Sequence, residues 1–198
     1  AMRFFKRFFT EGWAPVKTAQ IVNVYQAFEE GYFALYITGP WYIGEFRRRL
    51  PDSLQGSWST TPLPGPDGTI GTSLAGGSSL VMSREGRNKT AVWTLIEFLS
   101  EPAEQLEFYQ LTGDLPARRE AWHDSSLLNN KYASAFYQQL GNVRATPKVP
   151  EWEQIAQKVR EYTELITMDQ YTVEEGLAAL DREVNVILEK RRWMLHAR

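Results

Sequence analysis

Phe28-Glu29-Glu30-Gly31-Tyr32-Phe33-Ala34-Leu35-Tyr36-Ile37-Thr38-Gly39-Pro40-Trp41 is the stretch that decides how this 198-residue chain folds. Just before it, Ile21, Val22, Tyr25 and Phe28 fall on one side of a helix predicted from Thr18 to Glu30, which Gly31 ends. Tyr32 to Thr38 is then a nearly continuous apolar and aromatic run, the pattern of a strand buried on both faces. Strands of that kind belong to parallel sheets covered by helices, so the stretch points to an α/β protein. Gly39-Pro40 breaks the strand at its carboxyl end, where open α/β sheets bind ligands, and presents Trp41 there. A Trp so placed is either a stacking platform or a plug for the end of the sheet, and position alone leaves both open.

Outward from this stretch, helices and short strands alternate and then helices accumulate. Phe4, Phe5, Phe8 and Phe9 repeat at helical spacing within a first helix, Arg3 to Glu11, which Gly12 stops. Tyr42 to Leu50 reads as a short helix and Gly56 to Thr61 as a weak strand, before the turn segment Pro62-Leu63-Pro64-Gly65-Pro66-Asp67-Gly68. Short strands are predicted over Thr69 to Ser73 and Ser79 to Ser83, on either side of Leu74-Ala75-Gly76-Gly77-Ser78. Helices follow over Lys89 to Leu99 and from Pro102 to Gly113, then over Asn130 to Leu140, Glu151 to Ile166 and Val173 to Arg192. Thr172 with Glu175 three residues on forms a capping box at the start of the last one. Few strands serve so many helices, and the chain starts directly on a helix, which hints at a missing N-terminal part.

Composition narrows the function. A formal charge of −2 offers no electrostatic case for nucleic acid or an anionic membrane surface. The absence of cysteine excludes disulfides and thiolate metal sites. His123 and His196 are isolated, no Gly-x-Ser-x-Gly elbow is present, and Glu97, Glu101, Glu104 and Glu107 read as solvated carboxylates on a helix surface. Catalytic residues, metal ligands and cofactors are therefore all expected to be none. The unusual quantity is 13% aromatic residues, seven of them Trp. Rings with a polar edge suit a surface that is apolar on one face and wet at the rim, which is what a sugar presents.

Candidate binding residues are few. Gly76 and Gly77 let backbone N–H groups approach a ligand closely, or merely tighten a connection. Arg118, held on an extended segment by Pro116, can fork two hydrogen bonds to neighbouring hydroxyls, or pair with a surface carboxylate. Trp152 begins a helix after Pro147 and Pro150, where it caps a cleft or anchors the helix.

Each motif is weak alone, but their order is specific. A helix ending in Gly12-Trp13-Ala14-Pro15 precedes the Phe28 to Trp41 stretch. Then come Pro62-Leu63-Pro64-Gly65, the Gly76-Gly77 pair, the Ala91 to Leu99 helix, Ser100-Glu101-Pro102 and Leu115-Pro116-Ala117-Arg118. Pro147, Pro150 and Trp152 follow, and Thr172-Val173-Glu174-Glu175-Gly176-Leu177 opens the final helix. This order resembles the C-terminal portion of the family 1 extracellular solute-binding proteins, the relatives of maltose-binding protein.

The resemblance implies a periplasmic-binding-protein-like type II α/β fold, mainly its C-terminal lobe. Residues 1–74 and 120–198 would form that lobe, and residues 75–119 would normally pack on the N-terminal lobe, leaving Val81, Val92, Leu95 and Leu106 uncovered here. It implies a carbohydrate receptor, or its C-terminal half, that delivers a mono- or oligosaccharide to an ABC permease. Its place would be periplasmic or extracellular, at the membrane through the importer. Trp41 would stack on sugar, Gly76 and Gly77 would border it at the hinge, Arg118 would face the cleft, and Trp152 would lie near further cleft aromatics. The absent lobe implies a fragment, a split protein or self-association. Gly176 stands where the family usually has alanine, a helix penalty of up to ~1 kcal/mol. A carbohydrate-active enzyme domain, or a structural or sensor module of the same fold, is the competing reading.

Overall fold

A computed structural model describes residues 1–16, 21–74 and 76–196. The chain divides into two compact units, residues 1–23 with 146–198, and residues 24–145.

The first unit is helical: α1 (Met2–Thr10), α8 (Trp152–Thr167), α9 (Val173–Ile187) and α10 (Glu189–His196). Helices α8 and α9 form an antiparallel pair around Ile166, Tyr162 and Ala179, all buried. The expected capping box is present: the Thr172 hydroxyl accepts from the Glu175 N–H at 3.2 Å, and the Glu175 carboxylate accepts from the Thr172 N–H at 3.1 Å. Helix α1 is tied to this pair by Arg3 with Glu174 and by Lys6 with Asp169 at 2.5 Å. The helix expected to run unbroken to Arg192 instead breaks at Leu188, where α9 ends and α10 starts.

The second unit carries α2 (Val24–Glu29), α3 (Trp41–Arg49), α4 (Lys89–Leu99), α5 (Pro102–Thr112), α6 (Ser125–Leu128) and α7 (Lys131–Gln139), with strands β1 (Ser73–Leu74) and β2 (Val143–Arg144). β1 and β2 are parallel, with Ser73 opposite Val143 and Leu74 opposite Arg144. One core cluster joins Ile43, Phe46, Leu50, Trp58 and Tyr132, with Trp58 and Tyr132 stacked at 4.0 Å between ring centroids. Another gathers Leu106, Tyr109 and Leu115 around Trp122, Leu127 and Ala133. Asn130 caps α7 through the N–H groups of Tyr132 and Ala133, and its own N–H₂ donates to the Tyr109 hydroxyl at 2.7 Å, joining the start of α7 to α5.

Helices α4, α5 and α7 occupy the ranges their periodicity predicts, to within a residue at each end. The helix expected from Thr18 falls partly outside the described residues, and α2 spans only Val24–Glu29. The run Tyr32 to Thr38 is not a paired strand among the described residues, and Leu35 and Ile37 are 81% and 79% exposed. A strand exists only where neighbouring backbone completes its N–H and C=O groups, and no described segment pairs its backbone with this run, which α3 meets through side chains alone.

Candidate functional site

Trp41 is the first residue of α3, entered through Pro40, whose fixed φ of −61° suits a helix start. Its indole turns back over Gly39. A Cβ at Gly39 would lie 2.0 Å from the ring, so only glycine lets the indole settle there. The ring is nevertheless 57% exposed, an apolar face lying on backbone with its other side to solvent. The helix that carries it is fixed from its far end. The Gln55 side-chain N–H₂ donates to the carbonyls of Phe46, Arg47 and Leu50 at 3.3, 3.2 and 2.8 Å, which satisfies the last turn of α3. The Tyr132 hydroxyl in turn holds the Gln55 carbonyl at 2.9 Å.

Tyr42, the next residue of α3, belongs to a group of phenols. Tyr36 and Tyr42 share a hydroxyl–hydroxyl hydrogen bond of 3.2 Å, with ring centroids 5.1 Å apart. That bond to Tyr42, assisted by partial burial, pushes the Tyr36 phenol up to about 12, so it stays a neutral donor and acceptor at any physiological pH. Tyr25 adds a hydrogen bond of 3.2 Å to Glu45.

Gly76 and Gly77 follow β1, and both face open space, with nothing within 4 Å of where a Cβ would stand. Gly77 has φ 144°, a conformation that L side chains rarely adopt. Ala75, between them and β1, lies outside the described residues. Arg118 is presented by a turn whose Ala117 and Arg118 N–H groups both donate to the side-chain amide oxygen of Gln105, at 2.9 and 3.0 Å. Its guanidinium sits 3.5 Å from the Glu120 carboxylate on the surface. Trp152 belongs to the other unit, half-buried as the first residue of α8, with its N–H donating to the Val149 carbonyl at 3.0 Å.

The two best-formed depressions, of about 520 and 480 Å³, are lined by Gln170, Tyr171 and Arg182 and by Asn185, Glu189 and Trp193, and include none of these five residues. No group of three or more His, Asp or Glu side chains among the described residues is placed to hold a metal ion, and no described helix is long and apolar enough to cross a membrane.

Residues 13–135 match the model of the bacterial extracellular solute-binding protein family, and the chain belongs to that family. Its fold is periplasmic-binding-protein-like type II. The sugar-binding protein MalE of Xanthomonas citri superposes on all of this chain with a TM-score of 0.93 at 43% identity, over 50% of its own length. The maltodextrin-binding protein MdxE of Bacillus subtilis is 24% identical over 78% of this chain, and the galactooligosaccharide-binding protein of the same organism 26% over 76%. The chain spans 36% and 35% of those two relatives.

Proposed function

We propose that this chain is part of a non-enzymatic carbohydrate receptor, periplasmic or extracellular, that hands a mono- or oligosaccharide to an ABC permease. The observation that carries the reading is the half-open indole of Trp41, seated on Gly39 at the first turn of α3. A sugar ring places its C–H face on such a platform while its hydroxyls reach the polar rim. The Tyr36–Tyr42 phenols supply rim groups, and Gly76, Gly77, Arg118 and Trp152 are the further contacts of this reading. The names of the X. citri and B. subtilis relatives support a glycan as the ligand.

In this reading residues 1–74 and 120–198 are the C-terminal lobe, and residues 75–119 lie against an N-terminal lobe. The exposure of Leu80, Val81, Met82, Trp93, Leu95 and Phe98 in that segment supports a covering partner. Leu106, by contrast, packs under Trp122 within this chain, and Val92 is half-buried.

Calorimetric titration of the chain with maltose, malto-oligosaccharides, galacto-oligosaccharides and trehalose tests the assignment. Saturable heat near millimolar Kd, about −4 kcal/mol, is the expected result for one wall of a cleft that binds at about −8 kcal/mol when closed. Affinity falls about tenfold or more in Trp41→Ala. No saturable signal with any of these glycans at about 10 mM would overturn it.

A further inference from the structure

Pro62 to Thr72 folds back on itself as a small antiparallel hairpin. Gly65 N–H donates to Thr69 O and Gly71 N–H to Leu63 O, both at 2.6 Å, with Pro64 and Ile70 bridged between them. In a ladder of this kind residues that face each other exchange both bonds, so Gly71 N–H to Leu63 O has a reciprocal, Leu63 N–H to Gly71 O. That reciprocal bond is not made. The side-chain amide of Gln139 stands in its place: its oxygen accepts from Leu63 N–H at 2.9 Å and its nitrogen donates to Gly71 O at 2.8 Å. The second proton of the same nitrogen goes to Asn142 O at 3.0 Å. Acceptor and donor faces of the amide are thus both dictated by backbone groups, and Gln139 is buried.

The Asn142 side chain continues the pattern. Its N–H₂ donates to Ile70 O at 2.7 Å and its oxygen accepts from the Thr72 hydroxyl at 3.2 Å. Gly71 is therefore held on both sides by α7 and the turn that follows it. Immediately afterwards the chain leaves the hairpin and pairs as β1 with Val143 and Arg144, next to Asn142.

We infer that Gln139 is a positioning residue for the Gly76–Gly77 segment, its amide wedging open the base of the 63–71 hairpin so that the chain is diverted into parallel register with β2. Two arrangements compete for the Leu63 and Gly71 groups. With the amide inserted, Ser73–Leu74 pairs with Val143–Arg144, and the Gly76–Gly77 segment follows from that paired end. With the amide withdrawn, Leu63 N–H closes directly onto Gly71 O, the hairpin zips by one further bond, and Ser73–Leu74 is drawn away from Val143–Arg144. The geometry of the wedge stands on its own hydrogen bonds, and its bearing on sugar rests on the proposed role of Gly76 and Gly77.

Amide hydrogen exchange and glycan titration of the full chain, in Gln139→Met and Gln139→Glu, test it together. Methionine keeps the volume and removes both hydrogen-bonding faces. Exchange across residues 70–77 rises about tenfold or more, while α8 and α9 keep their protection, which also reports that the variant is folded. Glutamate separates positioning from general damage. Ionised, it accepts from Leu63 but has no proton for Gly71 O or Asn142 O, and behaves like methionine at the alkaline end. Burial and the two facing carbonyls raise its pKa above the ordinary carboxylate range, and as pH falls through that raised value it donates one proton again and the difference from wild type at the same pH shrinks. Glycan affinity falls about tenfold in Gln139→Met and follows the same pH recovery in Gln139→Glu.

Unchanged exchange over residues 70–77 in both variants would overturn the wedge. Raised exchange with unchanged glycan affinity would overturn its positioning role while leaving the receptor assignment intact. A wild-type chain that binds no glycan removes the receptor assignment alone, and the exchange and pH-recovery arms still decide the wedge.

Discussion

The Cβ that Gly176 lacks would stand 2.5 Å from Cγ1 and 2.6 Å from Cδ1 of Ile166. Ile166 is fully buried, so it has nowhere to yield, and α9 approaches α8 as closely as it does because residue 176 has no side chain. From helix propensity alone Gly176→Ala stabilises by up to ~1 kcal/mol. In this packing it overfills the interface, which costs about 1–3 kcal/mol and outweighs that gain. Urea unfolding of Gly176→Ala is expected to show net destabilisation. In the double variant with Ile166→Ala the cost is less than additive, since the truncated side chain makes room for the new methyl.

Asn130 ties two helices through one side chain. Its oxygen caps α7 and its nitrogen reaches Tyr109 on α5. Asn130→Ala is expected to cost about 1–2 kcal/mol, the usual range for a lost N-cap, with the Tyr109 bond lost as well. Asn130→Asp keeps the cap, and the Tyr109 hydroxyl becomes the donor to the new carboxylate, so its loss is the smaller of the two. Thermal melts of the three proteins order them wild type, Asp, Ala.

Local signals and long-range ones fared differently in the sequence. The helices α4, α5 and α7 and the Thr172–Glu175 box are written in periodicity, caps and a proline start, all within a few residues of one another, and they read correctly. Tyr32 to Thr38 has the composition of a buried strand, yet strand formation depends on a partner that a linear pattern does not name. The β1–β2 pair shows the same limit: Ser73 meets Val143 across 70 residues, and neither segment carries a signal for the other. Trp41 was legible as an exposed ring after a Gly-Pro turn, and its seat on Gly39 explains that motif physically, although the strand expected to lead into the turn is not formed among the described residues. Gln139 was not legible, because a glutamine at the end of a helix is common and its partners Leu63 and Gly71 are set by the tertiary fold.

Acid sensitivity of the α8–α9 pair follows from Glu183. Its carboxylate accepts from Lys158 at 2.8 Å and from the Tyr162 hydroxyl at 3.1 Å, and these bonds, the one from Lys158 first, hold it below the ordinary carboxylate range. A group whose folded pKa is depressed contributes stability that is present above its unfolded value and lost as pH falls through the folded one. The Lys158 ammonium is correspondingly raised by Glu183 and Glu161, so it stays charged throughout that window. Glu183→Gln is therefore expected to be less stable than wild type near neutrality and to converge with it in acid. Unfolding midpoints measured from neutral pH down through the carboxylate range check this, and a constant gap between the two proteins would contradict it.

If Trp41 is the stacking platform proposed above, its substitution separates binding from folding. The residue is more than half exposed and its ring lies against Gly39. Removing a surface side chain of this kind shifts stability by no more than about 0.5 kcal/mol. Removing a stacking platform takes away the apolar contact on which a sugar ring rests, worth about 1–3 kcal/mol when a large aromatic surface is covered. Trp41→Ala is thus expected to unfold at nearly the same urea concentration as wild type while losing about tenfold or more in glycan affinity, and Trp41→Phe to fall between. Gly39→Ala offers an independent route to the same outcome, because its methyl occupies the seat of the indole and turns the ring aside without deleting it. Fluorescence and calorimetric titrations of the three variants decide the matter: wild-type affinity in both Trp41→Ala and Gly39→Ala would move the stacking site elsewhere on the chain.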